Sequence, residues 1–312
     1  MASWQAHALD ALLRATIKRR LKGKRDIAEA RAVLNSGNLP FPHDVEYRVD
    51  WVGGIRGERI TAPATEQSAP SLLYLHGGGY FACAPRTHRP ITAWFAKAGF
   101  SAFAPDYRLA PEHRFPAAVE DAEAAYLGLL DAGTQAESIV VAGDSAGGGL
   151  ALALLLRLRE RQHRLPAGIA LFSPWTDLAL TGASMRENVR RDAMFQADGM
   201  PYAAGFYLGG VDARTPLASP LYGDFTGMPP LYIDVGEREL LRDDSTRLAE
   251  KARAAGVVVS LRIWPVVPHV WQLAHRFVPE GRDSLEHAAA HLHAAVRRAR
   301  GNAPRLVTET VG

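Results

Sequence analysis

The sequence predicts an α/β fold built on a mostly parallel sheet, and three observations carry that expectation. From Ser71 onward, short apolar runs alternate with longer helical segments, the rhythm of βα units. A polar strand-like pair at 45–61, turning at Gly53-Gly54, supplies an antiparallel entrance to that sheet. The rhythm then breaks at 181–228, a stretch with Met, Phe, Tyr and Gly but no clear strand. It is too long for a plain connection and reads as a helical insertion.

In chain order, residues 8–22 read as an amphipathic helix with Leu9, Leu12, Leu13, Ile17 and Leu21 on one face. Arg14, Lys18, Arg19, Arg20 and Lys22 lie on the other. That pattern fits a packed helix with a solvated basic face better than a membrane-surface helix. Leu39-Pro40-Phe41-Pro42 breaks the chain before strands at Val45–Trp51 and Glu58–Thr61, and Pro63–Pro70 is a polar loop. Further strands are expected at Leu72–Leu75, Ser101–Ala104, Ile139–Ala142, Ile169–Phe172, Leu231–Val235 and Val257–Ile263. Helices are expected near 88–98, 116–131, 145–162, 243–255 and 284–300. The division that follows is 1–44 as N-terminal helices, 45–180 and 229–301 as the α/β core, 181–228 as insertion and 302–312 as a loose tail.

Composition narrows the function classes. The chain of 312 residues is 47% hydrophobic and 22% charged, ordinary for a globular protein with a sizeable core. A net charge of +3, with the basic residues spread out, does not suggest nucleic acid. One cysteine, Cys83, excludes an intrachain disulfide and a cysteine-based zinc site. No leader pattern and no apolar run long enough for a bilayer are visible, so a cytoplasmic setting without membrane insertion is expected.

The chemistry centres on Ile139–Leu150. A β-branched run meets Gly143-Asp144-Ser145-Ala146-Gly147 and passes at once into a Leu-rich helix. This is the strand–turn–helix context of a G-x-S-x-G nucleophile elbow. The sharp turn strains the serine backbone by roughly 1–3 kcal/mol, and the flanking glycines remove Cβ atoms where strand and helix nearly touch. Taken alone, the motif could be a glycine-rich turn with a capping serine. His76-Gly77-Gly78-Gly79-Tyr80, directly after Leu72–Leu75, strengthens the functional reading. Its glycines free backbone N–H groups to face a cavity, so Gly78 and Gly79, with Ala146, are candidate oxyanion-hole donors. An acid and then a histidine should follow, each after a strand. Glu239 and Asp243 follow Leu231–Val235, and His269 follows the last strand. His275 is expected inside the next helix. His287 and His291 sit four apart, a metal-ligand spacing, but with no third ligand in sight they read as surface residues.

Together these residues resemble the hormone-sensitive-lipase-like family of α/β-hydrolases, bacterial carboxylesterases in particular. The resemblance runs over about 45–300 and includes Asp106–Glu112, Phe115–Asp121 and Ser173–Leu178 as structural supports. It implies the α/β-hydrolase fold, with the N-terminal helix and the 181–228 insertion forming a cap. One departure stands out: the family has Asp-Pro-Leu-x-Asp after the strand, whereas this chain has Glu239-Leu240-Leu241-Arg242-Asp243. Position by position the triad acid falls on Glu239, with Asp243 as the alternative; a glutamate can serve there. Asp243 and Asp244 otherwise suit the start of the next helix.

The expected activity is hydrolysis of short- to medium-chain acyl esters by Ser145, His269 and Glu239 through an acyl-enzyme, a reaction that needs no cofactor or metal. The expected partner is a small-molecule ester. Met194, Phe195, Phe206, Tyr207 and Leu208, with Tyr80 and Phe81, are the candidate pocket residues. Lactone or amide hydrolysis by the same triad, or a non-catalytic small-molecule receptor, are the rival readings. The resemblance also implies a homodimer formed through the last strand, near Val257–Ile263.

Overall fold

A computed structural model describes residues 2–23, 26–36, 42, 44–63, 65–66 and 68–301. The expected tail at 302–312 and most of the break at 39–42 lie outside them. One sheet of eight strands organises the chain, in the spatial order β1-β2-β4-β3-β5-β6-β7-β8. The strands are β1 Glu46–Val52, β2 Ile55–Thr61, β3 Ser71–Leu75, β4 Ser101–Pro105, β5 Ile139–Asp144, β6 Gly168–Phe172, β7 Leu231–Gly236 and β8 Val259–Trp264. β1 and β2 form a hairpin, β2 runs antiparallel to β4, and all other pairings are parallel.

The helices are α1 Trp4–Leu13, α2 Arg19–Leu21, α3 Ile27–Leu34, α4 Arg89–Lys97, α5 Ala117–Asp131, α6 Ser145–Glu160, α7 Ser184–Glu187, α8 Met200–Leu208, α9 Arg242–Ala254 and α10 Pro279–Ala299. β3, β5, β6 and β7 are buried at every position, and largely apolar, because both faces of the sheet are covered. Leu73, Leu75, Val141, Leu171 and Ile233 point to one face, packed with residues of α5, α6, α9 and the 181–228 insertion. Leu72, Tyr74, Val140, Ala170 and Phe172 point to the other, with residues of α4 and α10. The strict alternation is the period-2 geometry of a strand. Among the described residues, no helix is long and apolar enough to cross a membrane.

Among the boundaries that differ from expectation, two bear on the fold. β2 begins at Ile55, not Glu58, because Gly53 and Gly54 both take positive φ and pair Val52 directly with Ile55. That two-residue turn leaves no loop to separate the strands. α10 begins at Pro279 rather than 284; proline at the first helical position needs no N–H partner, so the polar run after it is helix and not loop. His275 accordingly lies before that helix, at the end of a short turn Trp271–Ala274, where its Nε2–H donates to the Pro90 carbonyl at 3.1 Å.

The N-terminal helix also departs from its simplest reading. It starts at Trp4, capped by the Ser3 side chain, and widens into a π turn over Arg14–Lys18. Arg19, Arg20 and Lys22 are exposed as expected. Arg14 and Lys18 are not free on that basic face: both reach the backbone carbonyls of 189–192. His291 is a further correction. Only His287 is exposed; His291 is half-buried and tilts against the Tyr232 ring.

Candidate active site

β5 ends at Asp144, and the chain turns into α6 through Ser145, whose φ is +52°. A side chain at Gly147 would lie 2.0 Å from the Leu75 carbonyl oxygen, and one at Gly143 would lie 2.5 Å from that of Gly147. Only glycine lets α6 start this close to β3 and β5. The Ser145 backbone therefore occupies a region unfavourable for a residue with a Cβ, held by the packing on either side.

The glycine loop leaves β3 beside this turn. Gly78 and Gly79 have φ of +118° and +63°, and a Cβ on Gly78 would meet the Ala82 carbonyl oxygen at 2.1 Å. Among the described residues no acceptor takes either N–H, and both glycines line the same cavity as Ser145. The loop is anchored from below by the Asp144 carboxylate, which accepts from Gly77 N–H at 3.1 Å, Tyr74 Oη–H at 2.7 Å and His88 Nε2–H at 3.2 Å. Burial pushes the Asp144 carboxyl up, yet the His88 ring and the two hydroxyl and imidazole donors hold it below the usual range overall. His76 is stacked on Tyr107 with ring centres 4.3 Å apart, and burial drives its pKa down to about 3, so it is neutral.

Glu239 sits in the turn after β7, and His269 in the loop after β8. His269 Nδ1 lies 2.6 Å from Glu239 Oε2, with both side chains almost wholly buried. The other carboxylate oxygen accepts from Gly236 N–H at 2.6 Å and Ser173 Oγ–H at 2.7 Å. The Ser173 hydroxyl also faces Val270 N–H at 3.5 Å, joining the two loops. The Phe195 ring stands edge-on to the imidazole, 4.7 Å away. His269 Nε2 has no partner among the described residues, and His269 and Ser145 line one cavity.

Asp243 is elsewhere. Its carboxylate accepts from Ser184 N–H at 2.9 Å and from Arg242, in the first turn of α9. Asp244 also starts that helix but points inward, accepting from the N–H groups of Thr176 and Asp177 at 2.7 and 2.8 Å. Burial pushes the Asp244 carboxyl up to about 7, with the Thr176 N–H pulling down and the Asp177 charge adding to the rise. Between about pH 4 and 7 the folded chain thus holds a proton that the unfolded chain has lost, and stability falls as pH rises through that window. Thermal unfolding at pH 4.5 and 7.5 should therefore show the unsubstituted protein losing roughly 1–3 kcal/mol more than Asp244→Asn. Equal losses would contradict the assignment.

The cavity has a volume of about 350 Å³ and is lined mainly by apolar side chains. Phe81, Met194, Phe195 and Phe206 line it as expected. Tyr80, Tyr207 and Leu208 do not. Tyr80 and Tyr207 stack face to face with ring centres 3.8 Å apart, each about 1% exposed, and Leu208 is buried in the same core. Leu9, Leu12, Leu13, Ile17 and Leu21 supply much of the remaining wall, so the apolar face of the N-terminal helix roofs the cavity. The stripe was legible in the sequence and the resemblance implied a place in the cap, but the leucines' contact with the cavity was not expected. Ser173, expected only as part of the structural support Ser173–Leu178, follows β6 directly and contacts the Glu239 carboxylate itself.

Comparison with known proteins gives the family. The family model of the α/β hydrolase fold matches residues 72–273, and the chain belongs to that family. Within it, the chain is similar to an acetyl-hydrolase of Streptomyces hygroscopicus, 44% identical over 87% of this chain and 89% of the relative. An esterase of Acinetobacter venetianus is 34% identical over 90% of this chain and 94% of its own length. Among solved structures, the esterase EstE5 superposes with a TM-score of 0.91 at 36% identity, covering 95% of this chain and 99% of that one. An esterase of the bacterial hormone-sensitive lipase family gives 0.87 at 37% identity over 95% and 99%. The protein is a carboxylic ester hydrolase of the hormone-sensitive-lipase-like branch.

Proposed function

We propose that the protein hydrolyses short- to medium-chain acyl esters through Ser145, His269 and Glu239. His269 Nε2 takes the Ser145 proton as Oγ attacks the ester carbonyl, and the N–H groups of Gly78, Gly79 and Ala146 receive the oxyanion. Glu239 holds the imidazole with its proton on Nδ1 and stabilises the imidazolium, without itself being protonated. The alcohol departs with the proton from His269, and water attacks the acyl-enzyme by the same route. The observation that supports this reading most is the 2.6 Å contact of Glu239 with His269, on the same cavity as a serine held at positive φ.

The N-terminal helices and the 181–228 insertion act as a cap in this reading, and Phe81, Phe195 and Phe206 with the leucines of α1 hold the acyl or alcohol group. A cavity of about 350 Å³ with no lysine or arginine in its wall among the described residues favours small, uncharged esters. The name of the Streptomyces relative, an acetyl-hydrolase, points the same way. Nitrophenyl acetate, butyrate, octanoate and palmitate test the reading: kcat/KM should be largest for acetate or butyrate and at least about tenfold lower for palmitate. A maximum at palmitate would overturn the chain-length assignment. Hydrolysis of a matched lactone or amide in preference to every ester would overturn the substrate class.

A further inference from the structure

Asp192 is a buried carboxylate that the mechanism does not use. It is 2% exposed, and no lysine or arginine side chain pairs with its carboxylate among the described residues. Three backbone donors face it instead. Oδ1 accepts from Met194 N–H at 2.7 Å and Phe195 N–H at 2.8 Å, and Oδ2 accepts from Leu240 N–H at 2.8 Å. Burial raises its pKa, the three N–H groups oppose that, and nearby Glu239 adds to the rise. A carboxylate in this position is costly unless all its bonds are made.

Both ends of that bridge lead to the proposed triad. Leu240 follows Glu239 in the chain, and Phe195 carries the ring that stands against His269. Neighbouring side chains bind the same turn: Asn188 Nδ2 donates to the carbonyls of Glu237 and Glu239 at 3.1 and 2.8 Å, and Ser184 Oγ donates to that of Leu240 at 2.6 Å. The Asp192 carbonyl is in turn gripped from the N-terminal helix, by Lys18 Nζ at 2.6 Å and Arg14 Nη1 at 3.3 Å. The same two side chains reach the carbonyls of Val189, Arg190 and Arg191. Arg14 and Lys18 are the first and last residues of the π turn.

We propose that Asp192 is a positioning residue for ester hydrolysis: it ties the Glu239 turn to the wall behind His269, and Arg14 and Lys18 couple that tie to the N-terminal helix. The seating of the helix over the cavity and the alignment of the acid–imidazole pair are then linked. The proposal rests on the assignment of Ser145, Glu239 and His269 above.

Asp192→Asn tests it with little change of shape. An amide can keep its oxygen on Met194 and Phe195 but presents an NH2 group to Leu240 N–H, so the link to the acid turn is the one broken. The measurements are kcat and KM for nitrophenyl butyrate, the melting temperature, and the downfield proton resonance of the His269 Nδ1–H facing Glu239. They are made on the full chain for the unsubstituted protein, Asp192→Asn, Arg14→Gln/Lys18→Met, the combination of all three, and Ser145→Ala. For Asp192→Asn we expect kcat to fall about tenfold or more, KM to stay within about twofold, and the resonance to shift or broaden. The Arg14/Lys18 variant should move the same readouts less far, and the combined variant should lose little beyond Asp192→Asn alone.

Unchanged kcat in Asp192→Asn, a kcat loss with the resonance unmoved, or additive losses in the combined variant would each overturn the proposal. Should Asp192→Asn not fold, the Arg14/Lys18 variant still decides, because an unchanged resonance and kcat there remove the coupling. Activity retained by Ser145→Ala would instead overturn the triad assignment itself, which keeps the two failures distinct.

Discussion

Ser145→Ala is expected to lower kcat/KM for nitrophenyl butyrate by about 10⁴- to 10⁶-fold, because it removes the hydroxyl that forms the acyl-enzyme. Its unfolding transition should stay close to that of the unsubstituted protein, since no hydrogen bond of the Ser145 hydroxyl contributes to the fold among the described residues. Ser145→Gly gives a second readout on the same site. The φ of +52° is unfavourable for any residue with a Cβ, so glycine should be as inactive as alanine yet more stable by about 1 kcal/mol. A glycine variant less stable than the alanine variant would mean that the turn is not strained as described. Retained hydrolysis in either would remove Ser145 from the mechanism.

Glu239→Gln should cost about 10³- to 10⁴-fold in kcat, whereas Asp243→Asn should stay within about threefold. The glutamine can turn an NH2 group toward His269 Nδ1, which favours the imidazole tautomer with its proton on Nε2. That form cannot accept the Ser145 proton. Asp243 carries no such burden: it lies on Arg242 and the Ser184 N–H, beside the cap insertion rather than the imidazole. Kinetics of the two variants under identical conditions check this ranking, and the opposite ranking would move the acid to Asp243.

The contrast between these two acids shows what the sequence could carry. Glu239 was legible by its position after a strand, though only by a resemblance from which its residue type departs. What selects it physically is long-range: Ser173 Oγ and Gly236 N–H occupy one carboxylate oxygen and leave the other for His269. Ser173 and Glu239 are 66 positions apart, and no local pattern links them. The parallel strands were legible for the opposite reason, since burial on both faces writes itself into an unbroken apolar run such as Ile139–Ala142.

The pocket was legible only in part. Phe81 and Phe206 line it while their chain neighbours Tyr80 and Tyr207 turn away and stack on each other. Adjacent residues share composition but not direction, so counting aromatics could not separate them. The cap contacts were the least visible. Arg14 and Lys18 looked like two more cations on a solvated face, and only a turn more than 170 positions away shows that they are anchors.

Covalent trapping decides whether Ser145 is the nucleophile. The intact protein is treated with a nitrophenyl phosphonate ester, its mass is measured, and the modified peptide is sequenced. One phosphonyl group per chain is expected, on Ser145, formed with release of one nitrophenolate and strongly slowed in His269→Ala. A label on any other residue, or ester turnover that survives complete labelling, would contradict that assignment.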